Sequence, residues 1–127
     1  MEFIKVGIED FSIENINYII QKEVQLELSE EAVQKIQKCR NYLDAKMEDD
    51  DNVFYGINTG FGSLCNTKIS KEDLSKLQEN LVKSHACGLG DEVEPIVVKI
   101  MLLLKIQGLS YGYSGVTVAT VQRLIDF

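Results

Sequence analysis

The chain has 127 residues, 45% of them hydrophobic, which is enough for one ordinary domain with its own core. Its 20 acids outweigh 13 bases, and the net charge of −7 argues against binding to nucleic acid or anionic lipid through clustered Lys and Arg. Cys39, Cys65 and Cys87 are an odd number with no CxxC spacing, and His85 is the single histidine. That pattern reads as reduced thiols, with no disulfide framework and no metal site. Met1 to Lys5 lacks a basic region leading into an apolar run, so no secretory signal is expected. The longest apolar region, Ile96 to Ile106, is broken by Lys99 and Lys105 and is too short to span a membrane. The cytoplasm is the default location.

Taken in order, Phe3 to Val6 reads as a short strand. Ser12 is an N-cap candidate, with Ile13, Ile16 and Ile20 following at helical spacing to about Lys22. Val24, Leu26 and Leu28 alternate with polar residues, as in a strand with one buried face. Ser29 caps a second predicted helix, whose stripe of Ala32, Val33, Ile36, Cys39 and Leu43 runs to about Lys46. Met47 to Asn52 is a connector carrying the acids Glu48 to Asp51. It lacks the alternating ligands and turn glycine of a calcium loop, so a solvated loop is expected.

Val53-Phe54-Tyr55 then leads into a glycine-rich loop, Gly56 to Gly62. Ser70 with Asp73 resembles a capping box before a helix with Leu74, Leu77 and Leu81 on one face, ending near Ser84. His85 to Glu94 is a break, and Pro95 fits the first turn of the next helix. That helix is apolar nearly all round, which predicts burial on several sides by more chain than these residues supply. Gly108, Gly112 and Gly115 weaken or end it, and Thr117 caps a last helix with Val118, Val121, Leu124 and Ile125 inward. The expectation is a mainly α chain with two or three short β-strands, one domain over 1–127. The apolar last helix reaches Phe127 without a closing Gly, Pro or charged tail, which suggests a piece of something longer.

The loop has no GxxxxGK[ST], and its glycines do not fit GxGxxG, so nucleotide binding is disfavoured. No Gly-x-Ser-x-Gly elbow is present. Cys87 and His85 are formally a nucleophile pair, but residues two apart point different ways on most backbones. Tyr55 and His85 are the titratable groups beside glycine-rich breaks. A tyrosine becomes a base only where positive charge or hydrogen-bond donors favour its phenolate, and the neighbouring sequence does not visibly supply them. On spacing alone the loop is a tight connector with an aromatic plug or a ligand-binding turn.

Three stretches narrow this. Tyr55-Gly56-Ile57-Asn58-Thr59-Gly60-Phe61-Gly62 resembles the segment carrying the catalytic tyrosine in the aromatic amino acid ammonia-lyases. Leu77 to Gly90 and Leu103 to Gly115 are similar to two further motifs of that family, in the same order and at similar spacing. The histidine ammonia-lyases are the form the chain most resembles. The resemblance implies the N-terminal part of the aromatic amino acid lyase fold, with the central helical bundle beginning at about residue 95. It implies that Tyr55 removes the β-proton of the substrate, and that Gly56, Asn58, Thr59, Gly60 and Gly62 belong to a flexible active-site loop. Ser84 and His85 fall on the positions that choose the substrate ring, and Ser-His there is similar to the histidine-specific form. The implied reaction is non-oxidative deamination of L-histidine to urocanate and ammonia in a homotetramer.

The family's cofactor is MIO (4-methylideneimidazole-5-one), formed from an Ala-Ser-Gly tripeptide that this sequence lacks. The chain alone is therefore expected to be inactive. Cys65 and Cys87 replace other small residues usual in these motifs. The alternative is a free-standing, non-catalytic helical module of lyase ancestry that binds a partner or small molecule.

Overall fold

The computed structural model describes residues 2–7, 9–22, 24–48 and 53–127. The elements in order are β1 (Glu2–Val6), α1 (Ile13–Gln21), β2 (Val24–Leu28), α2 (Glu30–Met47), a 3-10 turn (Gly62–Leu64), α3 (Leu74–His85), α4 (Pro95–Ser110) and α5 (Val118–Asp126). They form two compact units, one of residues 1–48 with 92–127 and one of residues 49–91. Asp49 to Asp51, most of the predicted acidic connector, lie outside the described residues.

In the first unit β1 and β2 pair in parallel, from Glu2 opposite Val24 to Val6 opposite Leu28. Parallel neighbours need a crossover, and α1 supplies it. The inward end of this pair, Val6 and Leu28, joins Ala32, Ile36, Ile106, Leu109 and Val121 in one core. Ile36 and Ile106 are almost wholly buried, each contributing about 1.5–3 kcal/mol relative to exposure.

The predicted caps at Ser12, Ser29 and Thr117 all form: each hydroxyl accepts from the backbone N–H three residues on, at 3.1–3.2 Å. At Ser12 the Asn15 side chain also accepts the Ser12 N–H, closing a reciprocal box. The capping box expected at Ser70 does not form. Ser70 bonds to the Asp73 amide and carboxylate, but residues 71–73 make a turn. The helix starts at Leu74, with Asp73 in the N-cap position and no side-chain cap bond.

The buried faces of α1 and α4 are set by packing. Of the stripe Ile13, Ile16 and Ile20, Ile13 is 82% exposed, and Ile19 is the buried residue of α1. α4 runs on through Gly108 to Ser110, and its buried residues all lie between Leu103 and Ser110. Its first half, including Ile96, Val97, Val98 and Met101, is exposed.

Polar ties fix the end of α4. Gln107 donates through Nε2 to the Glu9 carbonyl at 2.9 Å. The Ser110 hydroxyl lies 2.6 Å from the Gly7 carbonyl, and the Tyr111 hydroxyl donates to Asp10 at 2.5 Å. Arg40 grips Asp44 through two nitrogens and donates to the Gly115 carbonyl at 3.2 Å, which tethers the turn before α5 to α2. Among the described residues no helix is long and apolar enough to cross a membrane, and Cys39, Cys65 and Cys87 are free thiols.

Candidate functional site

All the candidate site residues fall in the second unit. Its chain turns sharply after Phe54: the Ile57 and Asn58 amides both donate to the Phe54 carbonyl, at 3.1 and 3.2 Å. Tyr55 sits on the outside of this turn and is 66% exposed. Gly56 follows it at φ +73°, a conformation that costs an L side chain but not glycine. Among the described residues the Tyr55 hydroxyl makes no hydrogen bond. The ring's neighbour is Phe61, met edge to face with centroids 6.2 Å apart and planes at 70°. Such a pair is worth about 0.5–1.5 kcal/mol beyond its buried area.

Behind the tyrosine the loop turns inward. Asn58, Thr59 and Gly60 are buried. Thr59 pairs with Lys68 as an isolated antiparallel bridge, the Ile69 amide donates to the Asn58 carbonyl, and the Gly60 amide donates to the Thr67 carbonyl. A side chain at Gly60 would collide with Leu64, since its Cβ would lie 2.6 Å from the Leu64 Cβ and 2.9 Å from the Leu64 oxygen. Gly62, at φ +56°, opens the 3-10 turn with nothing close to it. The loop thus has a tip with Tyr55 exposed and Gly56 half-buried, and a buried base at 58–60.

Ser84 and His85 close α3, both exposed. His85 Nδ1 lies 2.9 Å from the Leu81 carbonyl and 2.9 Å from the Ser84 hydroxyl, and that hydroxyl donates to the Leu81 carbonyl at 2.9 Å. A carbonyl only accepts, so this arrangement assigns the proton of a neutral imidazole to Nδ1 and leaves Nε2 as an acceptor. One turn earlier Glu79 pairs with Lys76 and Lys83, and those hydrogen bonds, Lys83 first, hold its carboxyl below the usual carboxylate range. No hydrogen bond, ion pair or ring contact joins Tyr55 to Ser84 or His85 among the described residues. Nor do those residues hold any cluster of three or more His, Cys, Asp or Glu side chains arranged for a metal ion.

Two contributors escape a reading of the sequence. Phe61 braces Tyr55, and only an aromatic placed six residues on in a glycine-rich turn hints at it. Leu81 orients His85 through its carbonyl, four residues back on the same helix, where side-chain identity carries no signal. A cavity of about 740 Å³ lies elsewhere, in the first unit, lined by Val24, Leu26, Leu103, Ile106 and Ile125 among others and by none of the candidate residues.

The family model for aromatic amino acid lyases matches residues 11–127. The chain belongs to that family. It is 39% identical over 117 residues to a histidine ammonia-lyase of Clostridium tetani, covering 92% of this chain and 23% of the relative. Among solved structures, histidine ammonia-lyase from Trypanosoma cruzi superposes with a TM-score of 0.81 at 31% identity, over 98% of this chain and 23% of that one. The phenylalanine aminomutase of Pantoea agglomerans does so with a TM-score of 0.86 at 27% identity, over 99% and 24% respectively. The chain spans about a quarter of the length of the relatives it matches. Its architecture, mainly helical with two short parallel strands, is the N-terminal part of the aromatic amino acid lyase fold.

Proposed function

We propose that this chain is the tyrosine-bearing portion of an ammonia-lyase that converts L-histidine to urocanate and ammonia. The observation that carries the reading is the Ser84–His85 pair at the end of α3, with Nδ1 2.9 Å from the Leu81 carbonyl, an arrangement that in the neutral ring turns Nε2 into the acceptor. An imidazole ring in the substrate offers an N–H to such an acceptor, whereas a phenyl ring offers none. The name of the Clostridium tetani relative agrees with this choice of ring. Tyr55, exposed at the loop tip, takes the β-proton, and the loop from Gly56 to Gly62 forms part of a lid over the bound substrate.

The 127 residues contain no Ala-Ser-Gly, so they do not fit the formation of MIO, and the electrophile of the reaction has to come from other residues. On its own the chain is inactive in this reading. The exposed first half of α4 supports a place in a larger helical assembly, a homotetramer by analogy with the family.

The test is Tyr55→Phe in a longer enzyme that carries this chain and the tripeptide. Turnover should fall by about 10²-fold or more, the usual worth of a positioned base. Circular dichroism should not change, because the ring keeps its edge contact with Phe61. Urocanate formed from L-histidine by the 127-residue chain alone would refute the inactivity, and a preference for phenylalanine in the longer enzyme would refute the substrate.

A further inference from the structure

Two buried polar side chains lie just beyond the exposed tyrosine. Burying an amide and a hydroxyl is unfavourable unless each is hydrogen-bonded. Asn58 is 5% exposed and Thr59 0%, and both serve the same short piece of backbone. Asn58 Oδ1 accepts the Phe54 N–H at 2.7 Å. Thr59 Oγ1 accepts the Gly56 N–H at 3.2 Å and donates its own proton to the Gly60 carbonyl at 2.9 Å. Phe54 and Gly56 are the residues on either side of Tyr55. The Tyr55 amide between them has no hydrogen bond among the described residues. The two side chains themselves stand on a fixed base, through the Ile69 and Gly60 amide bonds and the tight seat of Gly60 on Leu64.

We propose that Asn58 and Thr59 are positioning residues that bracket the Tyr55 backbone and so aim its phenol; this rests on the reading of Tyr55 as the proton acceptor. Neither side chain needs to touch substrate. A ring two-thirds exposed, with one edge contact, does not fix its own direction, and Gly56 leaves the chain free on the side where the tip leaves the tyrosine. A hydrogen bond to the residue before and another to the residue after remove that freedom. Misplacing a reacting group by about 1 Å can cost about 100-fold in rate. Loss of the bracket therefore falls on kcat more than on KM.

The first readout needs no substrate. In the 127-residue chain, amide exchange followed by NMR should show Phe54 and Gly56 protected relative to Tyr55. Thr59→Val keeps the shape but loses the acceptor, and should speed Gly56 exchange about five- to tenfold, the net worth of one hydrogen bond. Thr59→Ser should restore it. Asn58→Ala should do the same to Phe54, and Asn58→Asp, which keeps the oxygen, should restore it. Phe54 and Gly56 amides exchanging as fast as that of Tyr55 in the unaltered chain would overturn the proposal without any variant. Thr59→Ser behaving like Thr59→Val would overturn it too.

The second readout is turnover in the longer enzyme. Thr59→Val should lower kcat by about tenfold or more with KM within about twofold, and Thr59→Ser should recover it. An equal change carried by KM instead would overturn the positioning role. Tyr55→Phe with unchanged turnover would overturn the assignment of the base, and with it the purpose of the bracket. The amide protection then tells that failure apart from a bracket that never forms.

Discussion

A methyl group at Gly112 has nowhere to go. The residue sits at φ +75°, just past the end of α4, and a Cβ there would lie 2.7 Å from the Lys35 backbone carbon and oxygen on α2. Those neighbours are main chain in mid-helix and cannot rotate away. The left-handed conformation and the overpacking together predict that Gly112→Ala destabilises the chain by about 2–4 kcal/mol. Gly108 is the contrast, an exposed glycine inside α4 where an added methyl group would meet nothing within 4 Å. Gly108→Ala should stabilise by about 0.5–1 kcal/mol. Urea unfolding of the two variants beside the parent checks both signs, and the same direction of shift in both would refute the packing argument.

The helices begin where their chemistry dictates, which gives a prediction at the scale of one element. Ser29 caps α2 through the Ala32 amide, whereas Ser70 serves a turn ahead of α3. Ser29→Ala should cost about 1 kcal/mol and Ser70→Ala less than about 0.5 kcal/mol, measured by thermal unfolding with helicity as the signal. Equal losses would mean that Ser70 is a true cap. Caps, Pro95 and the apolar periods of α2 and α5 are legible because each depends on residues a few positions apart. Facing is not. The helical spacing of α1 picked out Ile13, Ile16 and Ile20, yet the packing of the first unit buried Ile19. α4 reads as apolar all round, and only the path of β1 and α2 determines that burial starts near Leu103. The site divides in the same way. Tyr55 and His85 stand out by residue type and by their glycine-rich surroundings, and Ser84 only through the resemblance to the family. The capture of the Phe54 and Gly56 amides and the tie from His85 to Leu81 emerge only once the backbone has folded.

For the whole chain, two hydrogen bonds from tyrosine to carboxylate make stability depend on alkali. The Tyr111 hydroxyl binds the Asp10 carboxylate across 101 residues, and the Tyr18 hydroxyl binds Glu2, pinning α1 to β1. Each carboxylate favours the protonated phenol, chiefly through the hydrogen bond, so both tyrosines titrate above the ordinary tyrosine value. A group raised in the folded state lends stability that is complete below its unfolded value and disappears as pH rises through the raised one. Unfolding free energy should therefore hold up to about pH 10, the ordinary tyrosine value, and fall above it. Both pairs belong to the first unit, so the Trp-free chain offers a direct check in its amide signals: those of β1, α1 and the end of α4 should lose protection in alkali. Tyr18→Phe combined with Tyr111→Phe should flatten that decline, because neither phenylalanine has a proton to lose. An alkaline slope unchanged by the double substitution would show that other groups govern it, and that the two carboxylate bonds hold no more of the fold together than exposed contacts usually do.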